Sequence, residues 1–543
     1  MRSALKTFVP YLVIVAIALI GFVNVLFATR GGIGAQSDSA FYVGVARNLA
    51  AGHGLGLTRP FTGFEFFSIF PPLYSLILAG LAASGFDLIE AARWMNALLF
   101  GLTISLAGGF FIWRWKSSFA GTLVAALIAF SPSMIAAHAW LLSEPLYYFL
   151  GTISLLALII FLTGQRWTWL VLSACAAALA ALDRYAGLAL VICGLITLLF
   201  QPSSGITVRI KRLVVFGLIS LVPTGIWLWV ARIQSSTIAG RELFTPDQIV
   251  PRLVKLIGPL KQTIISWVPF SDVLPFISDP HHYKPFWIIA ILVVISLAIL
   301  LLAAIRRGNK NGILIASPVY MLCVFCLFMA CHLLVFAGAT LFLSSSPAAG
   351  DRNFAPLLFS FYFLLSASMV IILRTFQDHK RIRITTVVIA VILIGGSMVQ
   401  GVKTVAAYPA DGLGYNTRSE RQSPIYDAIR KLPEDLLIVC NNPNVILFHT
   451  NRGTYPIVEL YTQNPEWDFP VYGQGRNHTD QGQLAFEQGR AALVLLPDAY
   501  WEVQLVYDDK IDRRMAGLIK GLYVYYDGYD GEIYLKDESV LNN

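Results

Sequence analysis

Charge is scarce in this chain. Asp, Glu, Lys and Arg make up 13% of its 543 residues, about half the share usual in soluble proteins. Cysteine is sparse too: there are six, and Cys175, Cys193, Cys323, Cys326 and Cys331 lie inside apolar runs, where a thiol behaves as a small hydrophobe. That excludes a disulfide framework. Cys323 and Cys326, set among Met321, Leu322, Phe325 and Phe328, read as core and not as a redox or metal pair. No internal repeat and no low-complexity segment is present, which removes solenoids and disordered arrays. What the chain has instead is 56% hydrophobic residues and a mean hydropathy of +0.66, the signature of a polytopic membrane protein.

Apolar runs long enough to span a bilayer fall at about 9–28, 94–113, 119–137, 145–163, 168–182, 186–200, 213–231, 285–305, 313–336, 355–373 and 384–402, predicting about eleven transmembrane helices. Alternate connections carry the positive charge: Arg114 and Lys116, then Arg166, then Arg209, Lys211 and Arg212, then Arg306, Arg307 and Lys310, then Arg374, Lys380, Arg381 and Arg383. With Arg2 and Lys6 these define the cytoplasmic side. The net charge of +8 therefore orients the chain and does not imply nucleic acid as a partner. The first apolar core is longer than a secretory h-region, so it reads as an uncleaved span. The N-terminus is then cytoplasmic and everything after about residue 403 lies outside. The division this predicts is a transmembrane catalytic domain over 1–402 and a small extracytoplasmic α/β domain over 403–543.

Three segments outside the spans have a character of their own. The first outer loop, about 29–93, contains Phe41, Val45 and Leu49 at helical spacing, which predicts an interfacial amphipathic helix starting at Ser37 or Asp38. "SIFPPLYSLILAGLAASG", 68–85, is too short to span and reads as a second interfacial helix. A second outer segment, 232–284, is amphipathic and ends in His281 and His282. The tail alternates strand-like runs (436–439, 492–496, 522–526, 532–535) with helical ones (423–431, 480–489, 510–521).

Span middles are nearly free of charge, as the cost of an ion in hydrocarbon demands. Asp38, Glu65, Arg93, Glu144, Asp183, Arg184, Asp351 and Arg352 instead fall at helix ends or in connections on the side opposite the basic loops. That arrangement suits a site that takes a lipid-borne phosphate at the outer interface, with arginines holding its charge and a carboxylate activating an acceptor hydroxyl. The ordered stretches "SDSAFYVGVARNLAAGHGLG", "FPPLY", "LSEPLYYF", "LDRYAGLAL" and "DRNFAPLLF" resemble lipid-dependent glycosyltransferases of the GT-C superfamily, in the family 39-like branch that includes protein O-mannosyltransferases and lipid A aminoarabinose transferases. The resemblance covers about the first 370 residues.

The resemblance implies an inverting transfer of a monosaccharide from a polyprenyl-phosphate donor to an extracytoplasmic hydroxyl of a lipid, glycan or protein, at the cytoplasmic (inner) membrane. Asp38 in "SDSAFY" matches the family's general base. Glu144 matches a second carboxylate near the acceptor, or a support for the base. Arg184 and Arg352 match contacts to the donor phosphate. Tyr42, Glu65, Tyr74, Asp183 and His332 are candidates to line the substrate, although tyrosines also gather at membrane interfaces without any such role. Two positions depart from the pattern. Phe70 stands where aminoarabinose transferases have a lysine before "PPL", and Asn353 and Phe354 follow Arg352 where the family has tyrosine. The chemistry requires no metal and the spacing predicts no metal site, though a divalent ion is compatible with the acids present. Two other classes compete. A lipid transporter or flippase has as many spans but keeps polar groups near the midplane, and a membrane-anchored scaffold does not need so many.

Overall fold

The computed structural model describes residues 2–59, 63–201, 205–235, 263, 267, 301–302, 316–342, 351–456, 479–497 and 519–541. Nearly all of the expected run at 285–305, most of the segment at 232–284 with His281 and His282, and most of the helical run at 510–521 lie outside the described residues. The chain forms two compact units. One comprises Met1–Arg30, Arg93–Leu228 and Glu242–Pro409, and the other Gly31–Ala92, Trp229–Arg241 and Ala410–Asn543.

The described helices, in chain order, are α1 (Arg2–Ala28), α2 (Ser37–Ala50), α3 (Leu73–Ala83), α4 (Leu88–Trp115), α5 (Ser118–Ala129), α6 (Pro132–Ala139), α7 (Glu144–Gly164), α8 (Trp167–Asp183), α9 (Leu188–Leu199), α10 (Ile206–Ser235), α11 (Ala316–Phe342), α12 (Asp351–Thr375) and α13 (Lys380–Ala407). Among the described residues seven helices are long and apolar enough to cross a membrane, and α5 with α6 makes an eighth as a bent pair. The run at 119–137, expected as one span, is broken by 53°. The cause is local: Pro132 has no N–H to continue the ladder, and the Ser131 hydroxyl caps α6 by accepting from the Met134 N–H at 3.4 Å. Tyr362 donates to the same hydroxyl at 3.1 Å. Gly401 of α13 abuts the break, where an added Cβ would sit 2.5 Å from the Phe130 carbonyl oxygen.

In the second unit α2 departs from the amphipathic pattern expected of it. Ser39 to Ala46 are all buried, and so is Asn48, so the helix is packed on nearly every side. Gly44 makes this feasible: a Cβ there would meet Leu57 at 2.8 Å and Leu447 at 3.6 Å. Arg47 Nη1 donates to the Phe448 carbonyl at 2.6 Å, and Asn48 donates to the Gly56 carbonyl at 2.8 Å while accepting from Asn451 at 3.3 Å. Next to α2 lies an antiparallel hairpin of β1 (Gly56–Arg59) and β2 (Gly63–Phe66). α3 is eleven residues long, about 16 Å, too short to span.

The rest of this unit is built on a five-stranded sheet of β3 (Leu437–Cys440), β4 (Tyr455–Pro456), β5 (Ala491–Leu495), β6 (Tyr523–Gly528) and β7 (Gly531–Leu535), in the order β4-β3-β5-β7-β6. β4, β3 and β5 are parallel, and β7 is antiparallel to β5 and β6. The central strands "LIVC" and "AALVL" are apolar without alternation because both faces are covered. The helix Ile425–Lys431 ends on Arg452, whose guanidinium donates to the carbonyls of Ile429, Leu432, Pro433 and Leu436 at 2.6–3.2 Å. That satisfies carbonyls a helix end leaves unpaired.

His449 gives this unit a pH dependence. Its Nε2–H donates to the Tyr415 carbonyl at 2.8 Å, and its ring stacks on Tyr426 with centroids 4.2 Å apart. Burial pushes its pKa down from 6.5 to about 4, against the carbonyl contact and helped by Arg47, Arg430 and Arg421. The imidazole is therefore neutral when folded, and its contribution to stability is full above pH 6.5 and lost as pH falls toward 4. Asp530 acts lower. Burial opposes its charge, but hydrogen bonds from Ser423, Tyr526 and the Ile425 N–H outweigh this and hold it below its ordinary 3.8. Hydrogen exchange of the 415–452 peptides in the full-length protein, corrected for intrinsic rate, should be faster at pH 5 than at pH 7.5. His449→Gln should flatten that difference, and equal protection at both pH values in the wild type would refute the assignment.

Candidate active site: an arginine pair on a buried glutamate

The geometry of the first unit's charged cluster follows from one hairpin. α7 and α8 are joined by Gln165 and Arg166, with Gln165 in the left-handed region at φ 54°, so the two helices run antiparallel. Ser154 and Ser173 fasten them, each hydroxyl donating to the other's carbonyl at 3.0 and 2.8 Å. Hydroxyl-to-backbone bonds of this kind hold apolar helices together where the hydrophobic effect gives no preference. The last residue of α8, Asp183, and Arg184 after it are thereby returned to the level of Glu144, the first residue of α7.

Arg184 leaves α8 in an extended conformation, and a tight 3-10 turn, Tyr185–Gly187, follows. Gly187 is needed there for space: a Cβ would lie 2.4 Å from the Ala180 carbonyl. Arg184 Nη1 lies 2.6 Å from Glu144 Oε1 and also donates to the Ser143 hydroxyl at 3.2 Å. Arg352, in the first turn of α12, donates its Nε–H to the same carboxylate oxygen. The Glu144 side chain is 3% exposed, whereas those of Arg184 and Arg352 are 17% and 32% exposed. One inner carboxylate thus carries two guanidiniums that are themselves partly exposed. The three charges sum to +1, and planar forks of this kind suit a phosphate.

Asp183 and His332 belong to the same neighbourhood. Asp183 is wholly buried beside Arg184. His332 is buried on α11, and its Nε2–H donates to the Asn353 carbonyl at 3.0 Å, next to Arg352. Tyr147, one helical turn after Glu144, is also buried within reach of Arg184 and Asp183. Its position three residues after Glu144 places it on the same helix face. Arg93, in the second turn of α4, ties down the end of α1 by donating to the Thr29 hydroxyl and the Leu26 carbonyl, both at 3.1 Å.

Asp38, Tyr42, Glu65 and Tyr74 are in the second unit. Asp38 is half-buried in the first turn of α2. Glu65 sits on β2 opposite Leu57. Tyr42 and Tyr74 are 2% and 0% exposed and pack in an aromatic cluster, Tyr42 stacked on Phe70 at 5.0 Å and edge-on to Tyr74 at 4.9 Å. Phe70 serves here as a packing residue.

The bundle of long apolar helices with charged ends is a multi-pass membrane architecture. No family model and no curated protein sequence matches the chain. Among solved structures, ArnT from Cupriavidus metallidurans bound to undecaprenyl phosphate is similar at 14% identity, with a TM-score of 0.56 over 97% of this chain and 98% of that one. The apo ArnT structure gives the same score and identity over 99% of both chains. The archaeal oligosaccharyltransferase AglB from Archaeoglobus fulgidus, in complex with an inhibitory peptide and a dolichol-phosphate, is similar at 12% identity and a TM-score of 0.51, over 98% of this chain and 75% of that one. Both proteins are GT-C superfamily members, so the resemblance read from the ordered motifs holds at the level of fold.

Proposed function

We propose that this protein is an inverting glycosyltransferase that moves a monosaccharide from a polyprenyl-phosphate donor to a hydroxyl of an extracytoplasmic lipid, glycan or protein. The observation that carries the reading is the pair of partly exposed arginines organised on one buried carboxylate, in a fold shared with ArnT, solved with undecaprenyl phosphate, and AglB, solved with a dolichol-phosphate. Arg184 and Arg352 hold the donor phosphate. Asp38 takes the proton of the acceptor hydroxyl, and the acceptor oxygen bonds to the anomeric carbon. The bond from that carbon to the phosphate oxygen breaks, leaving its electron pair on the phosphate, where the guanidiniums stabilise the added charge. A phosphate leaving group needs no strong general acid, and the step requires no metal. About eleven spans, a cytoplasmic N-terminus and an outward-facing active site in the inner membrane complete the reading.

The test is transfer from labelled undecaprenyl-phosphate sugars by purified protein in nanodiscs. Asp38→Asn should lower the rate about 100-fold or more, the usual effect of removing a general base. Wild-type activity in that variant would refute the base assignment. Movement of labelled lipid between leaflets by the wild-type protein in liposomes, with no sugar released, would make it a flippase.

A further inference from the structure

The arginine–glutamate cluster has a second face, rich in hydrogen-bond acceptors. Both oxygens of Asp183, Oε2 of Glu144, Nδ1 of His332 and the hydroxyl of Tyr147 are buried and have no hydrogen-bond partner among the described residues. Buried polar atoms are nearly always satisfied, so several orphans together indicate a ligand. Each of these residues is within electrostatic reach of Arg184, and they come from three elements: the start of α7, the end of α8, and α11. His332 spends its N–H on the Asn353 carbonyl, so its free nitrogen is a lone pair. The carboxyl oxygens accept as well, and a carboxyl in its neutral form also donates once. The ligand this face suits carries several groups that donate hydrogen bonds and can also accept them, as hydroxyls do. A bare cation is disfavoured, because two guanidiniums adjoin the acids and no three His, Cys, Asp or Glu side chains among the described residues are grouped to hold a metal.

We propose that Asp183, with Tyr147 and the Nδ1 edge of His332, forms a hydroxyl-binding subsite for the sugar of the donor, beside the arginines that take its phosphate. The inference rests on the donor reading above and deepens it: a polyol attached directly to a phosphate is the chemical class with an anion to meet the arginines and hydroxyl donors to meet the acceptors. Asp183 is a substrate-binding residue in this arrangement. Its two free oxygens suit a pair of neighbouring hydroxyls, while Tyr147 adds a single contact. A site that hydrogen-bonds a hydroxyl discriminates strongly against ligands that lack it, since its polar groups are then left unpaired.

The test compares binding of bare undecaprenyl phosphate with undecaprenyl phosphates carrying a hexose, a pentose or an N-acetylhexosamine, to full-length protein in nanodiscs. The wild type should bind at least one sugar-bearing lipid about 10-fold or more tighter than the bare lipid, as expected for hydrogen bonds to a charged acceptor. Asp183→Asn should erase that preference while leaving affinity for the bare lipid within about twofold, which also reports correct folding. Tyr147→Phe should lower the preference by a smaller factor. A preference that survives Asp183→Asn, equal weakening of both lipids, or a wild type with no preference among the probes would overturn the subsite. Retained binding of bare undecaprenyl phosphate by an Arg184→Ala/Arg352→Ala protein would instead overturn the phosphate reading on which it rests.

Discussion

Arg352→Ala should lower kcat/KM for transfer from a polyprenyl-phosphate sugar by about 100-fold or more, the range seen when one donor to a developing oxyanion is removed. The size of the effect follows from where charge changes during the reaction. The phosphate carries one negative charge in the donor and two in the leaving group, so a guanidinium beside it binds the transition state more tightly than the ground state. Arg352 is the more exposed of the two arginines, at 32% against 17%, and its removal leaves Glu144 paired with Arg184. The fold should therefore survive, and the loss should appear in both kcat and KM. Inhibition by the product, undecaprenyl phosphate, should weaken in parallel. Arg352→Lys should recover only part of the activity, because an ammonium is a point charge without the fork. Full activity in Arg352→Ala, with product inhibition unchanged, would remove this residue from the phosphate site.

The members of the charged cluster were legible in the sequence because an ion at the end of an apolar run is costly and so conspicuous. Glu144, Asp183, Arg184, Arg352 and His332 were all named. Their mutual geometry was not legible. A helix boundary fixes a residue's level in a bundle, but the direction of its side chain around the axis depends on which neighbours pack there. That both arginines share Oε1 of Glu144 is a property of three helix ends together. The break between α5 and α6 had a signal, Ser131 before Pro132, which the unbroken apolarity of 119–137 outweighed. α2 departs from expectation for a different reason. Its apolar periodicity describes one buried face, but small residues such as Ala40, Gly44 and Ala46 admit a second neighbour, and that neighbour, Leu447, is contributed by the tail of the chain. Tail strands β3, β5, β6 and β7 were readable as apolar runs. The two-residue β4 and the capping role of Arg452 were not, since both are defined by partners distant in sequence.

Glu144→Gln should cost both stability and activity, and the two losses should respond differently to a second substitution. In the native protein the carboxylate compensates two guanidiniums that approach one oxygen. Glutamine keeps the shape but removes the charge, leaving two cations side by side against a buried neutral group. Removing one partner of a buried ion pair typically costs about 3–5 kcal/mol. The arginines retain some solvent, so about 2–4 kcal/mol is the expected range here, visible as a lower melting temperature of the purified protein. Activity should fall about 100-fold, because the guanidiniums are no longer held in one geometry. Adding Arg352→Gln removes one of the two repelling cations, so the double variant should regain most of the lost thermal stability. It should not regain activity, since the phosphate has then lost a ligand. That pattern distinguishes a carboxylate that positions the arginines from one that acts on the acceptor, for which the second substitution would leave the stability deficit unchanged. An unaltered melting temperature in Glu144→Gln would show that the arginines do not depend on this carboxylate for their placement.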